Sequence, residues 1–213
     1  MPRILIFANG ALPDIQKARA LIHPDDIILC ADGGTRHALA LGVIPSLVIG
    51  DFDSLSDEER IKAEKAGAKI VRYSHDKDET DLELAVRHAI DLKPSSIVVI
   101  AALGDRLDQT LCNIALLSDQ RLALLDVRLD DGLEEAFFCR SHCEVRGNKG
   151  DLVSLLPWAG AVEGIHTEGL KWPLQNETLY PEKTRGISNE LLSGNATVSL
   201  TAGLLLVVHR RNS

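Results

Sequence analysis

From residue 3 to about 126 the chain alternates short, wholly apolar runs with amphipathic stretches, and no other feature constrains its fold as tightly. The runs are Ile4–Phe7, Ile27–Ala31, Leu47–Ile49, Ile70–Val71, Ile97–Ala101 and Leu122–Leu125. Each is too short for a buried helix and rich in Ile, Val and Leu, as a strand covered on both faces requires. Between them lie stretches with helical spacing at Asp14–Ile22, Thr35–Leu41, Ser56–Ala66, Thr80–Asp91 and Leu107–Leu117. In the fourth of these, Leu82, Val86, Ala89 and Ile90 fall on one helical face. Strand–helix alternation of this kind predicts a mainly parallel sheet with helices on both sides.

After about residue 127 the helical period stops. Short β-like pieces follow at Glu135–Cys139, His142–Val145, Leu152–Leu156, Thr197–Leu200 and Leu204–His209. Half of the 16 glycines punctuate this part, from Gly147 and Gly150 to Gly194 and Gly203. Turn signals at that spacing predict an antiparallel sandwich or barrel-like module. The expected organisation is an α/β N-terminal domain over residues 1–127 and an all-β C-terminal sandwich domain over 128–213.

Composition narrows the function classes. An excess of 31 acidic over 23 basic residues, net charge −8, argues against a nucleic-acid partner. No apolar stretch approaches the roughly 20 residues of a bilayer span, so no membrane association is expected. Cys30, Cys112, Cys139 and Cys143 come without an export signal, which predicts free thiols and a cytoplasmic location.

The acidic residues are concentrated where chemistry is expected. In open parallel sheets ligands bind beyond the carboxyl ends of the strands. The loops there read Asp32-Gly33-Gly34, Asp51-Phe52-Asp53, Asp76-Lys77-Asp78-Glu79-Thr80-Asp81 and Asp105-Arg106-Leu107-Asp108. Nine carboxylates would thus share one rim: Asp32, Asp51, Asp53, Asp76, Asp78, Glu79, Asp81, Asp105 and Asp108. Like charges in such number raise one another's pKa values unless a cation neutralises them. Mg²⁺ does this with oxygen ligands and commonly joins carboxylates to substrate phosphates. Asp51 and Asp53 can approach one ion if Phe52 turns away. Capping is the ordinary role of an Asp near a helix start, as at Asp14, Asp57 and Asp81, but capping does not account for four successive acidic strand ends.

Gly33-Gly34 before a helix lets backbone amides approach an anion, or simply makes a tight turn. Arg106 offers a bidentate fork for phosphate, or a salt bridge to a neighbouring Asp. Neither a P-loop nor a dinucleotide fingerprint is present. Cys139, His142 and Cys143 supply three potential zinc ligands without a fourth nearby, and strand alternation puts His142 opposite the two cysteines. His75 can approach the acidic loop, though a lone histidine is more often a solvated or hydrogen-bonded bystander.

Five motifs together resemble one family. "ADGGTRHALALGVIPSLVIGDFDSL" (31–55), "DKDETDLELA" (76–85) and "LGDRLDQTLCN" (103–113) look like the catalytic half of thiamine pyrophosphokinase. "GLKWPL" (169–174) and "GISNE" (186–190) resemble its thiamine-recognising half. The resemblance implies transfer of the pyrophosphoryl group of ATP to the hydroxyethyl oxygen of thiamine, with Mg²⁺, in a homodimer that binds thiamine where the subunits meet. It implies metal-binding roles for Asp51, Asp53 and Asp81, with Asp32 facing the same centre. ATP would be held by Gly33, Gly34, Asp78, Thr80, Arg106 and Asp108, with Gln109 and Asn113 in support. Ser188 and Asn189 would recognise the pyrimidine, and Trp172 would shape that site.

The chain departs from the family pattern in three places. Asp105 stands where a second glycine is common, Gln109 where a His is frequent, and Gly203–Val208 lacks the tryptophan that stacks on thiamine in some members. The alternatives are pyrophosphoryl transfer to another alcohol, such as a hydroxymethylpterin, and a non-catalytic nucleotide or thiamine-diphosphate sensor.

Overall fold

A computed structural model describes residues 1–212. Ser213, the last residue of the expected second domain, lies outside the described residues. The chain divides into two compact units, Met1–Gly132 and Leu133–Ser213.

The first unit runs β1 (Arg3–Phe7), α1 (Ile15–Ala20), β2 (Ile27–Ala31), α2 (Thr35–Ala40), β3 (Leu47–Gly50) and α3 (Asp57–Lys65). It continues with β4 (Lys69–Arg72), α4 (Asp81–Asp91), β5 (Ser96–Ile100), α5 (Leu107–Leu116) and β6 (Asp126–Asp130). The strands lie in the order β4-β3-β2-β1-β5-β6, every neighbouring pair parallel. Side chains alternate across the central strand: Leu5 and Phe7 join a core with Ala18, Ala38 and Ala63 from α1, α2 and α3. Ile4 and Ile6, also fully buried, are left for the opposite face, and α4 lies over β1, β2 and β3.

Helix starts follow local capping chemistry. Asp14 caps α1 by accepting the amides of Gln16 and Lys17. Ser56 and Glu59 form a reciprocal capping box on α3, and Thr80 caps α4 by accepting Glu83 N–H. Asp57 and Asp81 are therefore first-turn residues whose carboxylates are not consumed by capping. For Asp81 that freedom matters to the site.

One expected strand is displaced. The run Leu122–Leu125 is not a strand: Gln120–Leu122 is a 3₁₀ turn, with Leu122 buried and Leu124 99% exposed. The sixth strand begins four residues later, where Asp126 pairs with Ser96 and Val127 with Ile97. Leu122 anchors the turn into the core, and the ladder to β5 decides where pairing begins. Strand β6 thereby carries the parallel sheet past residue 127, and the unit ends at Gly132.

The second unit is antiparallel: β7 (Glu134–Cys139), β8 (His142–Arg146), β9 (Leu152–Glu168), β10 (Gln175–Leu179), β11 (Asn189–Glu190), β12 (Asn195–Ser199) and β13 (Ala202–Arg210). Its path is β7-β13-β9-β12-β8, with β10 and β11 also on β9. Strand β9 is far longer than the five residues expected, because Ala159 and Gly164, both at positive φ, bend it without ending it. One half pairs with β13 and the other with β10 and β12, so the two layers enclose Val153, Leu155, Val162, Ile165, Val198, Leu205 and Val207. A fully buried His209 ties this unit together. Its ring nitrogens lie 2.9 Å from Glu135 Oε1 and 3.1 Å from Asp151 Oδ2.

Candidate active site

Four strand ends of the first unit build the site. After β2, Asp32–Gly34 makes a 3₁₀ turn into α2, with Asp32 at φ 41°. Close packing requires the second glycine, since a Cβ on Gly34 would run into the Phe7 and Ala8 backbone, whereas one on Gly33 would meet only the side-chain ends of Asn9 and Arg36. After β3, Phe52 adopts φ 67° and packs its ring toward the core, with the Arg72 guanidinium 5.8 Å above it. That left-handed residue gives Asp51 and Asp53 a common side, and the Asp53 amide donates to Asp51 Oδ1 at 3.2 Å. Non-glycine residues rarely hold this conformation except where the surroundings over-determine it, commonly at functional sites. Ala101 and Asp105, beyond β5, hold it too.

The carboxylates converge. Oxygens of Asp32, Asp51 and Asp81 lie within 4.8 Å of one another, and so do ligand atoms of Asp51, Asp53 and His75. Asp32 is 3% exposed; its Oδ2 accepts Ser54 N–H at 3.1 Å, while its Oδ1 is buried with no hydrogen-bond partner. His75 Nδ1 sits 2.8 Å from Asp51 Oδ2, and Lys77 Nζ lies 3.4 Å from Asp51 Oδ2 and 3.0 Å from Asp81 Oδ1. That last contact is an ion pair without hydrogen-bond alignment.

The charges are unevenly tuned. Burial pushes the Asp32 carboxyl above its usual range, the nearby Asp81 and Asp53 charges add to this, and the Ser54 amide opposes it. Burial likewise raises Asp81, against the pull of Lys77. Burial also works on Asp51, but hydrogen bonds from His75 and the Asp53 amide, with Lys77 beside them, hold it below its usual range. The hydrogen bond to Asp51 raises His75 in turn. An all-oxygen donor set with a buried, unpartnered carboxylate oxygen fits a hard divalent cation.

A cleft of about 550 Å³ opens beside this cluster, lined by Asp32, Asp53 and Asp81 with Thr80, Arg106, Asp108, Gln109 and Asn113. Arg106 grips Asp108 bidentately, with Nε 3.2 Å from Oδ1, so the salt bridge is its present partner. That pairing holds the Asp108 carboxyl below its usual range. Asn113 is an anchor, donating to Ala102 O at 2.9 Å. Asp78 is exposed and does not line the cleft, and Gly33 and Gly34 are buried behind it.

Lys77 and His75 are the members that pattern reading did not bring in. Both sit inside the acidic loop, where cationic side chains among carboxylates were the available signal. Among the described residues, the groups able to hold a metal are the two carboxylate sets, and Cys139, His142 and Cys143 form no third. Cys139 is buried, with Sγ 3.7 Å from Val198 O.

In the second unit, Trp172, Ser188 and Asn189 come together. Asn189 Oδ1 accepts the amides of Trp172 at 3.0 Å and Glu190 at 2.9 Å, and its Nδ2 donates to Trp172 O at 2.7 Å. Its side chain therefore clasps the Trp172 backbone. The indole stays 54% exposed, with Lys171 Nζ 4.6 Å from its ring centre. Ser188 holds φ 56° and donates its amide to Ser154 Oγ at 3.0 Å.

Comparison with known proteins agrees with this layout. Residues 18–127 match the model of the thiamin pyrophosphokinase catalytic domain, and 141–205 that of the thiamin pyrophosphokinase vitamin B1-binding domain. The thiamine pyrophosphokinase of Bacillus subtilis is 32% identical over 210 residues, 98% of each chain. A crystal structure of thiamine pyrophosphokinase from that organism superposes with TM-score 0.88 at 29% identity, covering 99% of this chain and 100% of that one. One from Geobacillus thermodenitrificans gives TM-score 0.86 at 26% identity, covering 99% and 98%.

Proposed function

The chain belongs to the thiamine pyrophosphokinase family and transfers the pyrophosphoryl group of ATP to thiamine, and we propose that the strand-end carboxylates of its first unit perform that transfer with Mg²⁺. The observation that carries this reading is the convergence of Asp32, Asp51 and Asp81, with Asp32 Oδ1 buried and unpartnered, beside a cleft where Lys77 and Arg106 stand among the acids. Asp51, Asp53 and Asp81 would hold Mg²⁺, backed by Asp32. When bound, the ion supplies neutralisation of phosphate charge and polarisation of the reacting phosphorus.

The chain's own residues do the rest. Arg106, with Asp108 orienting it, meets the polyphosphate, and Thr80, Gln109 and Asn113 shape the cleft wall. Asp78 and the Gly33-Gly34 turn support the loops from outside it. The thiamine hydroxyl oxygen attacks the β-phosphorus, the bond from that phosphorus to the α,β-bridging oxygen breaks, and AMP leaves. The hydroxyl proton passes to Asp53 or Asp81, both of which line the cleft. Positioning and electrostatics supply most of the acceleration in such transfers. Thiamine recognition falls to the second unit, where Ser188 and Trp172 meet the pyrimidine and Asn189 acts by fixing the Trp172 backbone.

The match to a vitamin B1-binding domain leaves neither another alcohol acceptor nor a non-catalytic sensor favoured. We read the molecule as a homodimer. Phe138, Leu156, Trp158 and Val208 share the sheet face opposite the sandwich core and stay partly exposed, suiting a second copy. Four free cysteines accord with a cytoplasmic location. Incubation with ATP, Mg²⁺ and thiamine tests the reading: AMP and thiamine diphosphate should appear in equal amounts. ADP with thiamine monophosphate would refute it.

A further inference from the structure

Lys77 places an ammonium between two of the carboxylates that fit a divalent cation. Its ammonium lies 3.0 Å from Asp81 Oδ1 and 3.4 Å from Asp51 Oδ2, and its side chain is 12% exposed. Those two carboxylates belong to the set whose oxygens lie within 4.8 Å of one another. Mg²⁺ needs its oxygens at about 2.0–2.1 Å, so an ion held by the same two oxygens, Asp51 Oδ2 and Asp81 Oδ1, would overlap the ammonium. Like charge forbids sharing as firmly as volume does. Lys77 also lines the cleft that Arg106 lines, four residues before the point where α4 holds Asp81 rigidly. Its flexible four-carbon stem can turn from the carboxylates to an anion in the cleft while the helix stays in place.

We propose that Lys77 is a built-in counter-cation that yields Asp51 and Asp81 to the divalent ion and turns to the polyphosphate, coupling metal binding to nucleotide binding. The inference rests on the reading that these carboxylates hold Mg²⁺. Without nucleotide, the displaced ammonium meets acids that are already engaged, Asp108 by Arg106, Glu79 by Arg87 and Asp53 by the ion itself, so metal alone binds weakly. A polyphosphate supplies that partner, so each ligand strengthens the other, and the coupling is reciprocal.

Calorimetric titration with Mg²⁺ alone, then with Mg²⁺ in the presence of α,β-methylene ATP, tests this on the full chain. Lys77→Met should raise affinity for Mg²⁺ alone by about tenfold, within the usual range of coupling, and should shrink the enhancement that the nucleotide analogue gives. Unchanged or weaker binding of Mg²⁺ alone by Lys77→Met overturns the proposal. Adding Asp51→Asn separates the two readings. If it abolishes Mg²⁺ binding while Lys77→Met has no effect, only the counter-cation idea fails. If Mg²⁺ affinity ignores Asp51→Asn in both backgrounds, the metal assignment fails instead. Should Lys77→Met not fold, the side-chain ammonium resonance of Lys77 in the wild-type protein decides. It should move on addition of Mg²⁺ with the nucleotide analogue, and a resonance that stays fixed refutes the proposal.

Discussion

Replacing Asp32 by Asn should stabilise the protein in the absence of divalent ions while removing most of its activity. Asp32 is 3% exposed, its Oδ1 has no hydrogen-bond partner, and its oxygens lie within 4.8 Å of those of Asp51 and Asp81. Two unit charges at that distance repel by about 3.5 kcal/mol at an effective dielectric constant of about 20. Lys77, 3.0 Å from Asp81, cancels much of this. The remaining relief is about 1–2 kcal/mol, which corresponds to about 3–6 °C in melting temperature for a chain of this size. The amide oxygen of Asn can still accept Ser54 N–H, so that hydrogen bond is kept. The pH dependence has a definite sign. Burial raises the folded-state pKa of Asp32, so its ionised form costs stability. That cost is absent when the carboxyl is protonated in both states, sets in as pH rises past the ordinary carboxylate value at which the unfolded chain ionises, and is complete above the raised value. The gain from Asp32→Asn should be full at about pH 8 and gone by about pH 4, the ordinary carboxylate range. Thermal denaturation in EDTA across that range is the assay. A variant less stable than wild type at pH 8 would show that the cluster is not strained by its own charge.

Three further outcomes follow from the same geometry. Asp51→Asn should lower turnover by at least about a hundredfold, the usual cost of losing a preorganised charge at a reacting centre, with the far-UV circular dichroism unchanged. Asn189→Ala strips three hydrogen bonds from the Trp172–Glu190 clasp and should cost about 1–3 kcal/mol of stability, with the KM for thiamine raised and that for ATP unmoved. Equal effects on both KM values would argue against the thiamine assignment of that clasp. His209→Gln leaves Glu135 and Asp151 buried without the imidazole between them, and should lower the urea midpoint by the equivalent of about 3–5 kcal/mol.

The parallel half was legible because its code is local. Short apolar runs alternate with helical stretches, and the caps at Asp14, Ser56 and Thr80 stand where polar residues precede helical segments. Strand β6 escaped because Leu122–Leu125 is more apolar than Asp126–Asp130, and only the ladder to β5 selects the more polar segment. Strands β10 and β11 escaped for a similar reason: Gln175–Leu179 and Asn189–Glu190 carry little alternation and exist through pairing with β9.

The chemistry divides the same way. The sequence alone determined that acidic residues end four successive strands, since strand ends and residue identity are both local properties. It also carried the five motifs of the family. Only the tertiary structure decided which carboxylates meet. Asp32, Asp51 and Asp81 converge while Asp78 stays outside, because the left-handed turns at Asp32 and Phe52 aim side chains that spacing cannot. Tertiary structure also decided the partners: Arg106 on Asp108, Asn189 on the Trp172 backbone and Lys77 between two acids. A side chain's charge is written in its residue type, but the charge it neutralises depends on what the fold brings within a few ångströms of it.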